Sequence, residues 1–296
     1  MNHKDYLSRL ALGTVQFGTD YGVANQRGQV SAEEAAEILR YAHSSGVNTL
    51  DTAVSYGNSE TVLGQVGVKS WRVVSKLPAI PKETEDVQGW VEQSVHASLQ
   101  RLNLSQLYGL LLHQPKQLLD KNGEGLFQAL TDIQKKGLVK KIGISVYSPD
   151  ELGKLLDKFT FDLVQIPYNV IDRRFLRTGW LSQLKECGVE VHARSVFLQG
   201  LLLMDSYKRP QYFSRWDYLW EEWENWLCRE KLSSLEACLA FVFSNADIDR
   251  VLVGVDSLNQ LKEILSYSKP NIADFPPCLE SNASELVHPS FWQKIK

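Results

Sequence analysis

Short apolar runs recur along the chain, and segments whose apolar residues have helical spacing lie between them. The small size of these runs and their content of Val, Leu and Ile predict buried strands. The predicted strands are Leu10–Leu12, Val47–Leu50, Trp71–Lys76, Leu107–His113, Val139–Ser145, Asp162–Ile166, Val189–Ala193 and Arg250–Gly254. A regular alternation of strand and helix therefore organises the chain.

Residues typical of helix N-termini occur in the segments between these strands. Residues 31–34 (Ser-Ala-Glu-Glu) form a capping box that opens a helix with one apolar face. Ser148 and Pro149 mark another helix start, with proline at the first position. Further helices are predicted at about 86–102, 123–136 and 171–187, and a last one begins at 257–260.

This alternation predicts an α/β protein folded as a (β/α)8 TIM barrel. A doubly wound open sheet is the main alternative, and the lack of a G-x-G-x-x-G motif after the first strand counts against its dinucleotide-binding version. We expect a single domain over residues 1–296, with the barrel at about 8–267 and an irregular tail at 268–296. The long interval before the eighth strand predicts an insertion, Leu198–Lys231.

Composition and charge exclude several classes of function. The chain of 296 residues is 44% hydrophobic and 23% charged, with a net charge of −3, which is typical of a globular protein that binds neither nucleic acid nor membranes. It shows no signal peptide, so we expect a cytoplasmic protein, either a monomer or a weak oligomer. The four cysteines and six histidines lack metal-ligand spacing, and we expect no metal.

The carboxyl ends of three consecutive predicted strands carry ionisable side chains. Asp51 follows the second strand, Lys76 ends the third and His113 ends the fourth, while Tyr56 lies in the loop after Asp51. In a (β/α)8 barrel the active site lies at these strand ends, and neighbouring strands are only ~5 Å apart. We therefore expect the four side chains to form one site.

These residue types together suit proton transfer. A tyrosine hydroxyl has a reference pKa of ~10 and is a poor acid at neutral pH. We expect the Lys76 ammonium to lower the pKa of Tyr56, and Asp51 to pair with Lys76. His113 can donate a hydrogen bond to a substrate oxygen. Such a site would deliver a proton to a carbonyl oxygen or remove one from an alcohol.

Each of the four residues alone is more often structural than catalytic: a helix cap, a packed phenol, a surface lysine or a junction histidine. Their joint order along the chain favours the catalytic interpretation. Other positions favour structural roles. Trp216, Trp220 and Trp223 have the spacing of a helical packing face, although Tyr212 and Phe213 before them could shape a substrate pocket. Glu60 is expected to be a charge in the first turn of the next helix.

The motifs at these strand ends closely resemble those of the aldo-keto reductase family. They are GTVQFG at 13–18, DTAVSYGNSE at 51–60, VVSK at 73–76, LLLHQP at 110–115, IGISVYSP at 142–149, VQIPYN at 164–169 and ARSVFLQGLL at 193–202. The resemblance implies reversible reduction of an aldehyde, ketone or sugar-like carbonyl by NADPH or NADH, bound without a Rossmann fold. It implies that Tyr56 is the general acid, that Lys76 and Asp51 tune it, and that His113 orients the carbonyl.

The resemblance also implies a set of cofactor-binding positions. They are Gly13, Thr14, Ser145, Gln165, Arg194, Ser195, Gly200, Gly254, Asp256 and Gln260. Arg194 stands where many members have a tyrosine that stacks on the nicotinamide, and its planar guanidinium could stack as well. Near the adenosine end, Lys262 is the nearest cation to a 2′-phosphate and Asp256 adds a negative charge. The resemblance favours NADPH over NADH.

Two other functions remain open from sequence alone. The same barrel could serve as a cofactor-binding regulatory or interaction protein with incidental reductase activity. It could also be a hydrolase or aldolase that uses Lys76 as a Schiff base, although that chemistry gives Tyr56 and His113 no shared purpose.

Overall fold

Eight parallel strands close a barrel in sequence order, and β1 pairs with both β2 and β8. The computed structural model describes residues 3–267 and 274–292. The strands are β1 Leu10–Gly13, β2 Thr49–Asp51, β3 Arg72–Leu77, β4 Leu107–Leu112, β5 Val139–Ser145, β6 Leu163–Pro167, β7 Glu190–Arg194 and β8 Arg250–Gly254. The predicted (β/α)8 barrel is confirmed, and a closed sheet excludes the doubly wound alternative.

Helices surround this barrel. They are α1 His3–Arg9, α2 Ala32–Ser44, α3 Ser59–Val66, α4 Val87–Leu102, α5 Gly123–Lys135, α6 Pro149–Leu156, α7 Arg174–Arg177, α8 Trp180–Glu186, α9 Asp217–Glu230, α10 Ser234–Ser244, α11 Leu258–Leu265 and α12 Ser284–Val287. The hydroxyls of Ser31, Ser148 and Ser257 cap α2, α6 and α11, as their sequences predict. Within the described residues, none of these helices has the length and apolar content needed to cross a bilayer.

The single helix expected at 171–187 is wrong, because two short helices, α7 and α8, occupy that segment. The side chain of Asn169 accepts hydrogen bonds from the backbone N–H groups of Ile171 and Asp172, which holds a turn where the helix was expected to begin. Gly179 then adopts a left-handed conformation, φ 76°, and separates the two helices.

The insertion before β8 packs its tryptophans inward, as predicted. Trp216, Trp220, Trp223 and also Trp226 are buried along α9 and its N-terminus. Phe213 is buried too, with its ring centroid 5.0 Å from that of Trp292 in the C-terminal segment. Phe213 therefore supports that segment of the chain.

The tail expected to be irregular is partly helical. Residues 268–273 and 293–296 lie outside the described ranges. Between them, α12 is flanked by 3-10 turns at Pro277–Leu279 and Pro289–Trp292, and Leu286 and Val287 are buried in the core. Burial of these apolar side chains fixes the segment against the barrel, which proline content alone does not indicate.

Glu60 opens α3 as expected, but it is buried and bound rather than exposed. Its carboxylate accepts hydrogen bonds from Ser75 at 2.6 Å and Ser98 at 2.9 Å, and Arg101 Nη2 lies 2.6 Å away. These contacts join α3, β3 and α4 behind the strands that carry Lys76 and Asp51. Glu60 is thus a structural anchor for the wall of the site.

We expect Glu60→Ala to lower the free energy of unfolding by about 2–3 kcal/mol, because it leaves two buried hydroxyls without their acceptor and the partly exposed Arg101 without its ion-pair partner. Urea unfolding followed by circular dichroism measures this change. Glu92→Ala, which removes an exposed partner of Lys136, is the control and should leave the midpoint nearly unchanged. Equal midpoints for the two variants would contradict the anchoring role.

Candidate active site

The ends of β2, β3 and β4 bring the four predicted catalytic residues close together. Asp51 and Lys76 lie on β2 and β3, and His113 directly follows β4, where its N–H still donates to Leu77 O at 3.0 Å. The ladder also continues past β2, because Val54 N donates to Lys76 O at 3.2 Å. This pairing carries the chain to the loop that presents Tyr56.

Two glycines hold the loop that carries Tyr56. A side chain on Gly18 would overlap the backbone oxygen of Tyr56, and one on Gly57 would overlap the backbone oxygen of Gly18. Gly57 also has a positive φ of 54°. Only bare backbone allows the loops after β1 and β2 to approach so closely, which fixes the position of the phenol.

Lys76 is at the centre of the polar contacts, although only 1% of its surface is exposed. Its ammonium donates to Asp51 Oδ1 at 2.5 Å, to Thr52 O at 2.9 Å and to the Tyr56 hydroxyl at 3.4 Å. All three of its donors are therefore used. An amine held in this way is poorly placed to attack a carbonyl carbon, which disfavours Schiff-base chemistry.

A second chain of contacts continues from Asp51 across the barrel. Gln165 Nε2 donates to Asp51 Oδ2 at 2.8 Å, and the Ser145 hydroxyl donates to Gln165 Oε1 at 3.1 Å. Ser145 and Gln165 were predicted to bind cofactor, and here they also orient the carboxylate that binds Lys76. Sequence spacing gave no sign of this link, because the two strands that carry Asp51 and Gln165 are not neighbours in the sheet.

The pKa of Tyr56 is raised from its ordinary value, which corrects the expectation that Lys76 would lower it. Desolvation by burial is the largest cause, the Asp51 carboxylate adds to it, and Arg194 opposes it. Tyr56 as a whole is partly exposed, but its hydroxyl contacts the buried Lys76, and the surroundings of the hydroxyl determine the pKa. Because Asp51 compensates the charge of Lys76 at 2.5 Å, the pair offers little net charge to a phenolate.

Burial also shifts the pKa values of Lys76 and His113. Desolvation lowers the pKa of Lys76, and the Asp51 carboxylate opposes that shift. Desolvation, with the nearby charges of Lys76 and Arg194, lowers the pKa of His113 to about 4. His113 is therefore neutral at physiological pH. Its Nδ1 lies 3.1 Å from the Ser55 hydroxyl, and its ring meets that of Tyr56 edge-on.

Thr14, Gly200 and Gly13, which were predicted to bind cofactor, make structural contacts within the chain near the strand ends. The Thr14 hydroxyl donates to Asp51 O at 3.0 Å and lies 2.9 Å from Ser59 Oγ, so it ties the strand ends together. Gly200 has a φ of 86°, and a side chain there would crowd Ala24 in the loop after β1. Gly13 ends β1 beside Gly254.

Two hydrogen-bond acceptors near the end of β8 have no partner among the described residues. Asp256 Oδ1 and Gln16 Oε1 are buried without a hydrogen-bond partner among the described residues. A side chain on Gly254 would meet the amide end of the Gln16 side chain, which would have to move. Asp256 N donates to Gln260 Oε1 at 2.7 Å, which keeps both residues at the start of α11. Unpaired buried acceptors beside exposed backbone suit a ligand with hydroxyl donors, such as a dinucleotide ribose.

Sequence reasoning missed several residues that contact this site. Ser55 binds His113, and Tyr21 accepts a hydrogen bond from Gln199 while its hydroxyl approaches Tyr56 and Arg194. Gln16, two residues after Thr14 in the GTVQFG motif, was not singled out. The only available signal was their position just after predicted strands, which many residues share.

Comparisons with known proteins agree with this fold. A sequence model described as the Aldo/keto reductase family matches residues 9–274. The chain is 24% identical to an NADH-specific methylglyoxal reductase of Escherichia coli, over 95% of this chain and 96% of that protein. It is 27% identical to a D-threo-aldose 1-dehydrogenase of a Pseudomonas species, over 84% and 88% of the two chains.

A solved structure shares the fold. An aldo-keto reductase from Bacillus halodurans in its holo form superimposes with a TM-score of 0.72 at 19% identity, covering 92% of this chain and 90% of that one. The chain therefore belongs to the aldo/keto reductase family. It is an NAD(P)-dependent oxidoreductase that converts carbonyl groups to alcohols.

Proposed function

We propose that Tyr56 donates the proton to the carbonyl oxygen of a small aldehyde or ketone, with Lys76, Asp51 and His113 positioning and tuning the transfer. The observation that carries this proposal is the placement of the Tyr56 hydroxyl 3.4 Å from the buried Lys76 ammonium, which Asp51 holds. The nicotinamide cofactor supplies the hydride when it is bound.

The raised pKa of Tyr56 keeps the phenol protonated but makes it a weaker acid than free tyrosine. A phenol that stays protonated across the neutral range is always ready to donate. The alkoxide that forms on the carbonyl carbon is a much stronger base than a phenolate, so transfer from Tyr56 is favourable. Lys76 then lies next to the oxygen that becomes negative.

Neutral His113 can direct the carbonyl toward Tyr56. If the Ser55 hydroxyl donates to Nδ1, the remaining ring proton is on Nε2. That proton is available to the carbonyl oxygen without adding a charge to the pocket. Ser145, Gln165, Ser195, Gly254, Asp256 and Gln260 would hold the cofactor in this proposal.

The reaction is tested with 4-nitrobenzaldehyde and NADH. We expect oxidation of NADH with formation of 4-nitrobenzyl alcohol in equal amount, followed by absorbance and by chromatography. Binding of NADH without alcohol formation, across a panel of aldehydes, ketones and sugars, would contradict the proposal and favour the regulatory alternative.

We also propose that the cofactor is NADH, which reverses the preference for NADPH implied by the sequence resemblance. Two carboxylates, Asp256 and Glu34, lie at the start of α11, where Leu258 N donates to Glu34 at 3.3 Å. Arg27 is paired with Glu34 at 3.4 Å, and the Lys262 ammonium lies 5.5 Å from the Tyr41 ring centre. Acidic groups accept hydrogen bonds from ribose hydroxyls and repel a 2′-phosphate. The NADH-specific relative supports the same preference.

We expect NADH to bind at least about tenfold more tightly than NADPH, because a phosphate beside carboxylates costs several kcal/mol when desolvated. Titration of cofactor fluorescence measures both dissociation constants. Asp256→Asn should reduce the ratio of the NADPH dissociation constant to the NADH dissociation constant, whereas Lys262→Gln should leave this ratio unchanged. Tighter binding of NADPH by the wild type would contradict this preference.

A further inference from the structure

The catalytic pocket has one positive charge more than its proton chemistry requires. Asp51 and Lys76 compensate each other at 2.5 Å. Tyr56 and His113 are neutral at physiological pH because burial raises the first pKa and lowers the second. The guanidinium of Arg194, at the end of β7, remains as a charge that these four residues do not balance.

Arg194 is half-buried, and Tyr147, Ser195 and Val146 hold its guanidinium in place. Its guanidinium carbon lies 4.2 Å from the centre of the Tyr147 ring. Nη1 donates to Ser195 Oγ at 3.1 Å and Nη2 donates to Val146 O at 3.1 Å. A guanidinium has five N–H donors, so three are free of partners from the described part of the chain. Both contacts are to neutral oxygens, and none of the described carboxylates forms an ion pair with Arg194.

The charge of Arg194 acts on the reacting groups. It lowers the pKa of Tyr56, Lys76 and His113, so the guanidinium lies close to all three. The surroundings of Tyr147, on which Arg194 stacks, contain further positive charges. There His288 stacks on Tyr147 at 3.8 Å, and positive charges from Arg194, Arg174 and Lys116 all act on it, after burial, to lower its pKa.

Arg174 differs from Arg194 in being neutralised. Its guanidinium forms an ion pair with Asp172 at 2.8 Å. A buried or half-buried guanidinium is normally paired in this way, because an uncompensated charge out of water is costly. Arg194 has no such carboxylate partner among the described residues, so its free N–H donors are available to an anion from outside the chain.

We propose that Arg194 binds an anionic oxygen group of the substrate, so that the carbonyl compounds this enzyme reduces best bear a carboxylate or a phosphate. This inference rests on the proposed carbonyl reduction and adds the substrate class to it. Arginine suits the role because its planar fork of donors matches a carboxylate or phosphate in bidentate geometry.

This role differs from the nicotinamide stacking implied by the sequence resemblance. The oxidised nicotinamide ring is itself positive, so a guanidinium stacked on it would repel one redox form of the cofactor. An anionic substrate instead neutralises Arg194 and leaves its charge to hold the carbonyl near Tyr56. The two roles predict different losses when Arg194 is replaced.

A matched pair of aldehydes tests the proposal: 4-formylbenzoate and its methyl ester, which have similar shape and differ in charge. We expect the wild type to show a kcat/KM for the carboxylate roughly ten- to hundredfold higher, as a hydrogen-bonded ion pair implies. Arg194→Gln should reduce this ratio to near one, and Arg194→Lys should keep part of it. Lys116→Gln, which removes an exposed cation, should leave most of the ratio intact.

Cofactor fluorescence titration separates the alternatives. A ratio that is unchanged in Arg194→Gln, or an equal loss for both aldehydes together with weaker NADH binding, would overturn the proposal and assign Arg194 to the cofactor. Comparing glyceraldehyde with its 3-phosphate distinguishes phosphate from carboxylate as the preferred anion.

Failure of the underlying reaction has a different signature. In that case neither aldehyde is reduced, while calorimetry with 4-(hydroxymethyl)benzoate still reports the anion site. Binding that Arg194→Gln weakens about tenfold or more would support the anion role without any turnover. Binding that is equal in both proteins would overturn it.

Discussion

Tyr56→Phe should lower kcat for carbonyl reduction by about a hundred- to ten-thousand-fold, the usual contribution of a positioned general acid. The variant removes only the hydroxyl that lies 3.4 Å from Lys76 Nζ and keeps the ring that packs edge-on against His113. NADH binding should change little, because no proposed cofactor contact depends on the phenol. Steady-state assays with 4-nitrobenzaldehyde give the comparison.

Tyr21→Phe is the matched control for this loss. Tyr21 places a second phenol near the pocket, but its hydroxyl is bound to Gln199 and not to Lys76. We expect its removal to change kcat by less than about tenfold, since a neutral hydrogen bond contributes about 1 kcal/mol. Comparable losses in the two variants would show that any phenol in the pocket matters equally, contrary to the role assigned to Tyr56.

Lys76→Met should also reduce kcat severely, for an electrostatic reason. The change removes the cation bonded to Tyr56 and leaves Asp51 as an uncompensated buried carboxylate beside the phenol. Since Asp51 already contributes to the raised pKa of Tyr56, loss of its partner should raise that pKa further. Alcohol oxidation, which needs the deprotonated phenol, should then require higher pH.

The pH dependence of alcohol oxidation measures this effect. We expect the rising limb of kcat/KM to move to higher pH in Lys76→Met than in the wild type. The double variant Asp51→Asn, Lys76→Met removes both charges and controls for folding, because it leaves no buried carboxylate unpaired. If the rising limb of kcat/KM lies at the same pH in all three proteins, electrostatic tuning of Tyr56 by Lys76 is contradicted.

The sequence predicted the barrel, and it predicted that Asp51, Tyr56, Lys76 and His113 lie close together, because both depend on local order. A strand end and the loop after it are set by a few adjacent residues, as DTAVSYG and LLLHQP illustrate. In a closed barrel, consecutive strands are neighbours, so residues at three consecutive strand ends must meet. The geometry of Asp51, Lys76 and His113 follows from this rule.

Contacts between strands far apart in sequence could not be predicted in the same way. Gln165 reaches Asp51 across the barrel interior, over 114 positions of sequence. The burial of Glu60 depends on Ser98 and Arg101 of another helix. Both contacts depend on side-chain packing that a single sequence does not encode in any local pattern.

The pKa of Tyr56 shows a similar limit for electrostatics. The residue types indicate attraction between a phenolate and Lys76, but desolvation depends on how deeply the hydroxyl is buried. In the structure burial outweighs the attraction, and Asp51 cancels most of the lysine's charge. The raised pKa keeps Tyr56 protonated but weakens it as an acid, so proton transfer in the reducing direction relies on the stronger basicity of the alkoxide.

Single-turnover kinetics tests the central role of Tyr56 most directly. Enzyme preloaded with NADH is mixed with excess 4-nitrobenzaldehyde in a stopped-flow instrument, and the decay of bound-cofactor fluorescence is followed. We predict the same initial fluorescence for wild type and Tyr56→Phe, with a decay at least about a hundredfold slower in the variant. Equal decay rates in the two proteins would contradict proton donation by Tyr56.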